Sequence, residues 1–134
     1  MLYGGKNNVG RYQLLLLITG MCFWLTPHTA FAQEPWGRID AEPNPCRIGP
    51  GHNDCETFIR WETRGVERAK VFVTAEGRGE FKEKEFAAST HCEGHRCRAG
   101  WISPHTRYKF ILVDFTRGDR GRTLAEVVVH GERD

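Results

Sequence analysis

Apolar and polar positions alternate most regularly between Cys55 and Gly77. In the first half of this stretch Cys55, Thr57, Ile59 and Trp61 fall on one side, and Glu56, Phe58, Arg60 and Glu62 on the other. In the second half Ala69, Val71 and Val73 oppose Lys70, Phe72 and Thr74. A period of two in runs rich in β-branched and aromatic residues predicts strands, because successive side chains of extended backbone leave on opposite faces. The intervening TRGVER is polar and carries a glycine, so the two runs are expected to be neighbouring antiparallel strands. A two-stranded ribbon is marginal in water. The face bearing Ile59, Trp61, Val71 and Val73 therefore requires a second sheet over it.

Weaker alternation marks the rest of the chain. Ile39 to Glu42 predicts a short edge strand, ended by Pro43 and Pro45, which cannot donate to a ladder. CRIGPGHNDC is dense in turn residues, and Gly77-Arg78-Gly79 reads as a second turn. EFKEKEFAAS, apolar only at Phe81, Phe86, Ala87 and Ala88, predicts one or two exposed strands, and its Lys82 to Glu85 charge run a solvated face. A polar loop, HCEGHRC, follows, and then Ala99, Trp101 and Ile102 predict a short buried strand. In RYKFILVDF, Tyr108, Phe110 and Leu112 share a face; in TLAEVVVHG, Ala125, Val127 and Val129 do. The loop TRGDRGR separates these two runs. About seven strands at even spacing, with no helical period after residue 32, predict an all-β fold: an antiparallel two-sheet β-sandwich. It is expected over residues 38–134, after a short leader at 33–37, with Ile59, Trp61, Val71, Val73, Tyr108 and Phe110 as core anchors.

The N-terminal residues carry a different pattern. Lys6 and Arg11 precede an apolar run from Leu14 to Leu25, then Pro27 and Ala30-Phe31-Ala32. Basic, apolar and small-residue segments in that order predict a secretory signal peptide over residues 1–32, cleaved after Ala32. The apolar run is shorter than the ~20 residues a spanning helix needs, so no stable membrane span is expected after cleavage; an uncleaved anchor is the alternative. Thr19-Gly20-Met21 before Cys22 lacks the leucine of a lipobox, and there is no twin arginine. A secreted or periplasmic location follows.

Removing that segment alters the charge. Nineteen Lys and Arg less Lys6 and Arg11 leaves seventeen, equal to the seventeen Asp and Glu, all of which follow Ala32. A neutral domain of interspersed charge offers no footprint for nucleic acid. Five cysteines less Cys22 leaves Cys46, Cys55, Cys92 and Cys97. An even number in a small exported domain predicts two disulfides, and among the three possible pairings spacing favours Cys46–Cys55 and Cys92–Cys97.

The series PNPC-RIGPGHNDC-ETFIRW, AKVFVTAEG, WISPHTRYKFIL and LAEVVVHG resembles the small immunoglobulin-like and fibronectin type III-like β-sandwich modules of secreted bacterial proteins. The resemblance covers residues 38–131 and implies a binding or spacer module rather than an enzyme. It also implies that Tyr108 is a corner tyrosine, its hydroxyl bonding back to the turn at Pro104.

Candidate chemistry is sparse. His91-Cys92-x-x-His95-x-Cys97 brings two imidazoles and two thiols together, a ligand set that zinc or copper favours. Oxidation of the thiols leaves only His91 and His95, so neither a metal nor another cofactor is expected, and a small extracytoplasmic metal-binding protein built on those two histidines is the alternative. Arg117-Gly118-Asp119 sits in an expected hairpin loop, where such modules can display an adhesive tripeptide; the composition is equally that of any solvated loop. Trp36 and Phe72 are expected to face outward as a protein- or sugar-binding platform, unless a loop or leader covers them. Ser89 and Ser103 lack the surroundings of a nucleophile. The expectation is an exported, non-enzymatic binding module for a protein or glycan at the cell surface or in the periplasm.

Overall fold

A computed structural model describes residues 33–76 and 83–134. The expected signal peptide, the Gly77–Gly79 turn, Phe81 and Lys82 lie outside the described residues. The strands are β1 (Trp36–Glu42), β2 (Cys46–Ile48), β3 (Cys55–Arg64), β4 (Ala69–Glu76), β5 (Lys84–Ala87), β6 (Arg98–Ile102), β7 (Arg107–Asp114) and β8 (Arg122–Arg133). One 3₁₀ turn, His95–Cys97, precedes β6, and no α-helix occurs among the described residues. β1-β3-β6 form one sheet and β2-β8-β7-β4-β5 the other.

The count differs from about seven because β2 forms inside the stretch that reads as a turn. Cys46 and Ile48 are buried there, and β2 runs parallel to the end of β8, from Cys46 opposite Gly131 to Ile48 opposite Arg133. The sheets are therefore not wholly antiparallel. β1 also opens earlier than expected, at Trp36 within the expected leader.

β3 and β4 follow one another in the chain but are not neighbours. β1 occupies one edge of β3, from Trp36 opposite Arg64 to Glu42 opposite Phe58. The other edge is taken by β6 as far as Phe58 and then by Cys92, which exchanges two backbone hydrogen bonds with Trp61 (3.1 and 2.9 Å). Thr63 Oγ1 extends this contact by donating to Thr90 O at 2.8 Å. No edge is left for β4. Gly65, at φ 67°, turns the chain out of the sheet, and β4 instead pairs along its length with β7. The apolar faces of β3 and β4 meet across the interior rather than side by side.

That interior holds Ile59, Val71 and Phe110, fully buried, and Trp61, Val73 and Tyr108, nearly so. Leu112, Val129, Ala99 and Ile102 fill the space around them. The polar groups carried inside are satisfied: Trp61 Nε1 donates to Ser89 O at 2.9 Å, and Thr57 Oγ1 to Pro43 O at 2.8 Å. Such pairing matters because a buried donor without an acceptor costs about 1–3 kcal/mol. Tyr108 Oη lies 2.7 Å from Ser103 Oγ and accepts from Ser103 N at 3.4 Å, tying β7 to the turn after β6.

Both disulfides are local in sequence, Cys46–Cys55 and Cys92–Cys97. The first does not join β1 to β3. It links β2 of the five-stranded sheet to β3 of the three-stranded one, so it clamps the two layers together. The second closes the loop that delivers the chain from Trp61's edge into β6.

Candidate functional site

The two sheets leave an open side. β6 ends the three-stranded sheet and β5 ends the five-stranded one, and among the described strands neither has a partner on its outer edge. Between them lies a groove of about 570 Å³ lined by Val73, Lys84, Glu85, Phe86, Trp101 and Tyr108. Its walls are aromatic and continuous with the core. The Trp101 ring meets Tyr108 edge-on at 5.1 Å and stacks on Phe110 at 6.0 Å with 27° between planes. Phe86 touches Phe110 at 5.2 Å and Trp61 at 6.2 Å. Both pairs fall within the range at which aromatic side chains attract beyond their buried area.

Trp101 was expected inside, alternating with Ala99. It is 41% exposed instead. The reason is a register shift. Ile102 pairs with Cys55 and Ala99 with Thr57, so three steps along β6 match two along β3. The extra residue is a β-bulge, which breaks the period of two and re-aims the side chains beside it. Ala99 and Ile102 both point inward, and Gly100 and Trp101 stay outside. Sequence carries a trace of this in Gly100, since an isolated glycine in a strand pattern is a signal for a bulge.

A second hollow holds paired charge. It measures about 510 Å³, lies over the outer face of the three-stranded sheet, and is lined by Arg38, Asp40, Arg60, Glu62, His91 and Glu93 together with Trp61 and Cys92. Arg60 Nε donates to Asp40 at 2.8 Å and its Nη2 lies 3.0 Å from Glu42, while Arg38 meets Glu62 at 3.3 Å. The hydrogen bond to Asp40, and then its charge, push the Arg60 guanidinium further above its already high range. Opposite charges across neighbouring strands neutralise one another here, and Arg60 exchanges no proton at accessible pH.

The residues singled out from sequence are scattered. His91 lines that charged hollow, whereas His95 lies beside a separate dimple, its ring 5.9 Å from Phe58. The two imidazoles do not share a pocket, and among the described residues no group of three or more His, Cys, Asp or Glu is placed to hold a metal. Ser89 Oγ donates to the backbone oxygen of His91 at 2.6 Å, not to an imidazole. Phe72 is half-buried against Phe115 at 6.0 Å, so it is not a free platform. Trp36 is 43% exposed, with the Arg64 guanidinium 5.0 Å above its ring. Arg117, Gly118 and Asp119 lie in the β7–β8 loop, with both charged residues exposed. No family model, curated protein or solved structure matches this chain.

Proposed function

We propose that this is an exported, non-enzymatic binding module of the immunoglobulin-like or fibronectin type III-like kind, whose partner docks in the aromatic groove between β5 and β6. The observation that carries the reading is Trp101, held outside by the bulge and exposed beside two sheet edges that end without a partner among the described strands. A protein partner suits this site better than a glycan. Unpaired strand edges present rows of backbone donors and acceptors, and an extended segment can add to them while its alternate side chains enter the groove. Support for export comes from the two disulfides, which persist in oxidising compartments, and from the signal-like start of the chain. The hydrogen bond from the Ser103 turn to Tyr108 supports the family resemblance, since it has the form of a corner tyrosine.

The test is a selection of extended peptides and of glycans against the purified exported protein, with Trp101→Ala as the counter-target. The reading predicts peptides that bind the native protein and lose at least tenfold in affinity to Trp101→Ala, with both proteins melting alike. Ligands bound equally by both would place the docking surface elsewhere.

A further inference from the structure

Where β7 begins and β8 ends, a hollow of about 450 Å³ is lined by His105, Thr106, Arg107, His130 and Gly131. No carboxylate lines it, whereas the hollow around Arg60 sets acids against its arginines. Two imidazoles and a guanidinium thus share one concavity.

The sheet and the turn before it fix these side chains. Arg107 pairs directly with His130, and both leave on the outer face, opposite to buried Tyr108 and Val129. Directly opposed residues of antiparallel strands hold their Cβ atoms about 4.5–5.5 Å apart. The turn after β6 adds the third group. Pro104 bridges Gly131, where a methyl would lie 3.1 Å from Ser103 O, and the hydroxyl of buried Thr106 lies 3.4 Å from Ser103 Oγ. His105, exposed between these anchors, has φ 63° and is the one non-glycine residue with positive φ among the described residues. Backbone strain under a side chain beside a cavity points to a use for that side chain.

The charges around the hollow leave its cations available. Arg107 makes no ion pair or hydrogen bond among the described residues, and Glu76, opposite it on β4, lies 4.0 Å from Lys109 Nζ. His130 Nε2 is 3.2 Å from Glu132 Oε1, and Glu132 is 3.8 Å from Arg47 Nη1 on β2. An ionised carboxylate only accepts, so Nε2 carries a hydrogen. Nδ1 is then a bare lone pair until the imidazole gains a second proton, and a donor afterwards.

We infer that this hollow binds a tetrahedral oxyanion, a phosphate or sulfate group, through Arg107, His105 and protonated His130. A guanidinium fork meets two oxygens of such a group at once, and an imidazolium adds a charge-assisted hydrogen bond. The group can arrive as a free ion or as an ester on a sugar. The site shares no lining residue with the β5–β6 groove and does not depend on it.

Calorimetric titration of the exported protein with inorganic sulfate, inorganic phosphate and glucose 6-phosphate, at constant ionic strength, tests this. Sulfate keeps its charge from about pH 8 to about pH 6, the range in which imidazoles gain theirs, so its affinity follows the protein alone. The inference predicts one-to-one binding of sulfate that tightens at least about fivefold over that range. Tighter binding of glucose 6-phosphate than of phosphate identifies an ester as the ligand, and the reverse identifies the free ion. Arg107→Ala weakens binding at least about tenfold, the loss of one charge-assisted hydrogen bond. Arg96→Ala, an exposed arginine outside the hollow, changes it less than about twofold. His130→Gln flattens the pH dependence. His105→Asn weakens binding without lowering the melting temperature, because asparagine tolerates a positive φ. No saturable binding at either pH, or tighter binding at the higher one, would overturn the inference. Equal losses from Arg96→Ala and Arg107→Ala, or undiminished binding by His105→Asn, would overturn it as well.

Discussion

Replacing Trp61 by alanine probes the packing between the sheets. Trp61 is 3% exposed, and its indole joins the central strand of the three-stranded sheet to Phe86 of β5 across the interior. Removing a buried tryptophan side chain costs about 3–5 kcal/mol in transfer and cavity terms. The same substitution strips Ser89 O of its donor. Against the ~5–15 kcal/mol that holds a domain of this size together, the loss is a large fraction. At about 4–8 °C per kcal/mol, the melting temperature should fall by ~15 °C or more. Trp61→Phe separates the two contributions. It keeps a ring near Phe86 and loses the N–H, so about 1–2 kcal/mol is expected. Urea unfolding followed by circular dichroism, with disulfides intact, gives both numbers. A Trp61→Ala variant within about 1 kcal/mol of the native protein would refute the packing argument. So would a Trp61→Phe variant as unstable as Trp61→Ala.

Three further substitutions test other joints. Gly37→Ala places a methyl 2.8 Å from Leu112 Cδ2, and overpacking there should cost about 1–3 kcal/mol in the same assay. Opening Cys46–Cys55 by alanine substitution of both residues should cost ~2.5 kcal/mol on the chain-entropy model, against ~2 kcal/mol for the smaller Cys92–Cys97 loop; equal, negligible losses would show that the layers do not need the clamp. Replacing Arg117–Asp119 by Gly-Ser-Gly should shift unfolding by less than about 0.5 kcal/mol, since those side chains bury nothing.

Sequence made the interior legible because alternation is a direct record of burial. Ile59, Trp61, Val71, Val73, Tyr108 and Phe110 share a face within each strand, and each lies inside. Pairing was less legible. A short polar link such as TRGVER suits a hairpin and equally a crossing between sheets, and the choice rests on whether the edges of β3 are free. They are taken by β1, β6 and Cys92, residues distant in sequence. β2 was hidden for a similar reason: three residues inside a glycine- and proline-rich stretch become a strand only because β8 runs past them. The candidate groove was the least visible part. Trp101 reads as core under strict alternation, and one extra residue in β6 turns it outward. Phe72 reads as a surface platform, but Phe115, just beyond β7, packs against it.

The central claim is that a partner docks between β5 and β6, and amide hydrogen exchange of the complex tests it most directly. With a peptide selected on the native protein bound, protection should rise at Glu85–Ala87 and Arg98–Ile102, because β5 and β6 end their sheets without a further partner among the described strands. Exchange at the charged outer face around Arg60 should stay unchanged. Protection confined to that face, or to the β7–β8 loop, with β5 and β6 exchanging as in the free protein, would contradict the account.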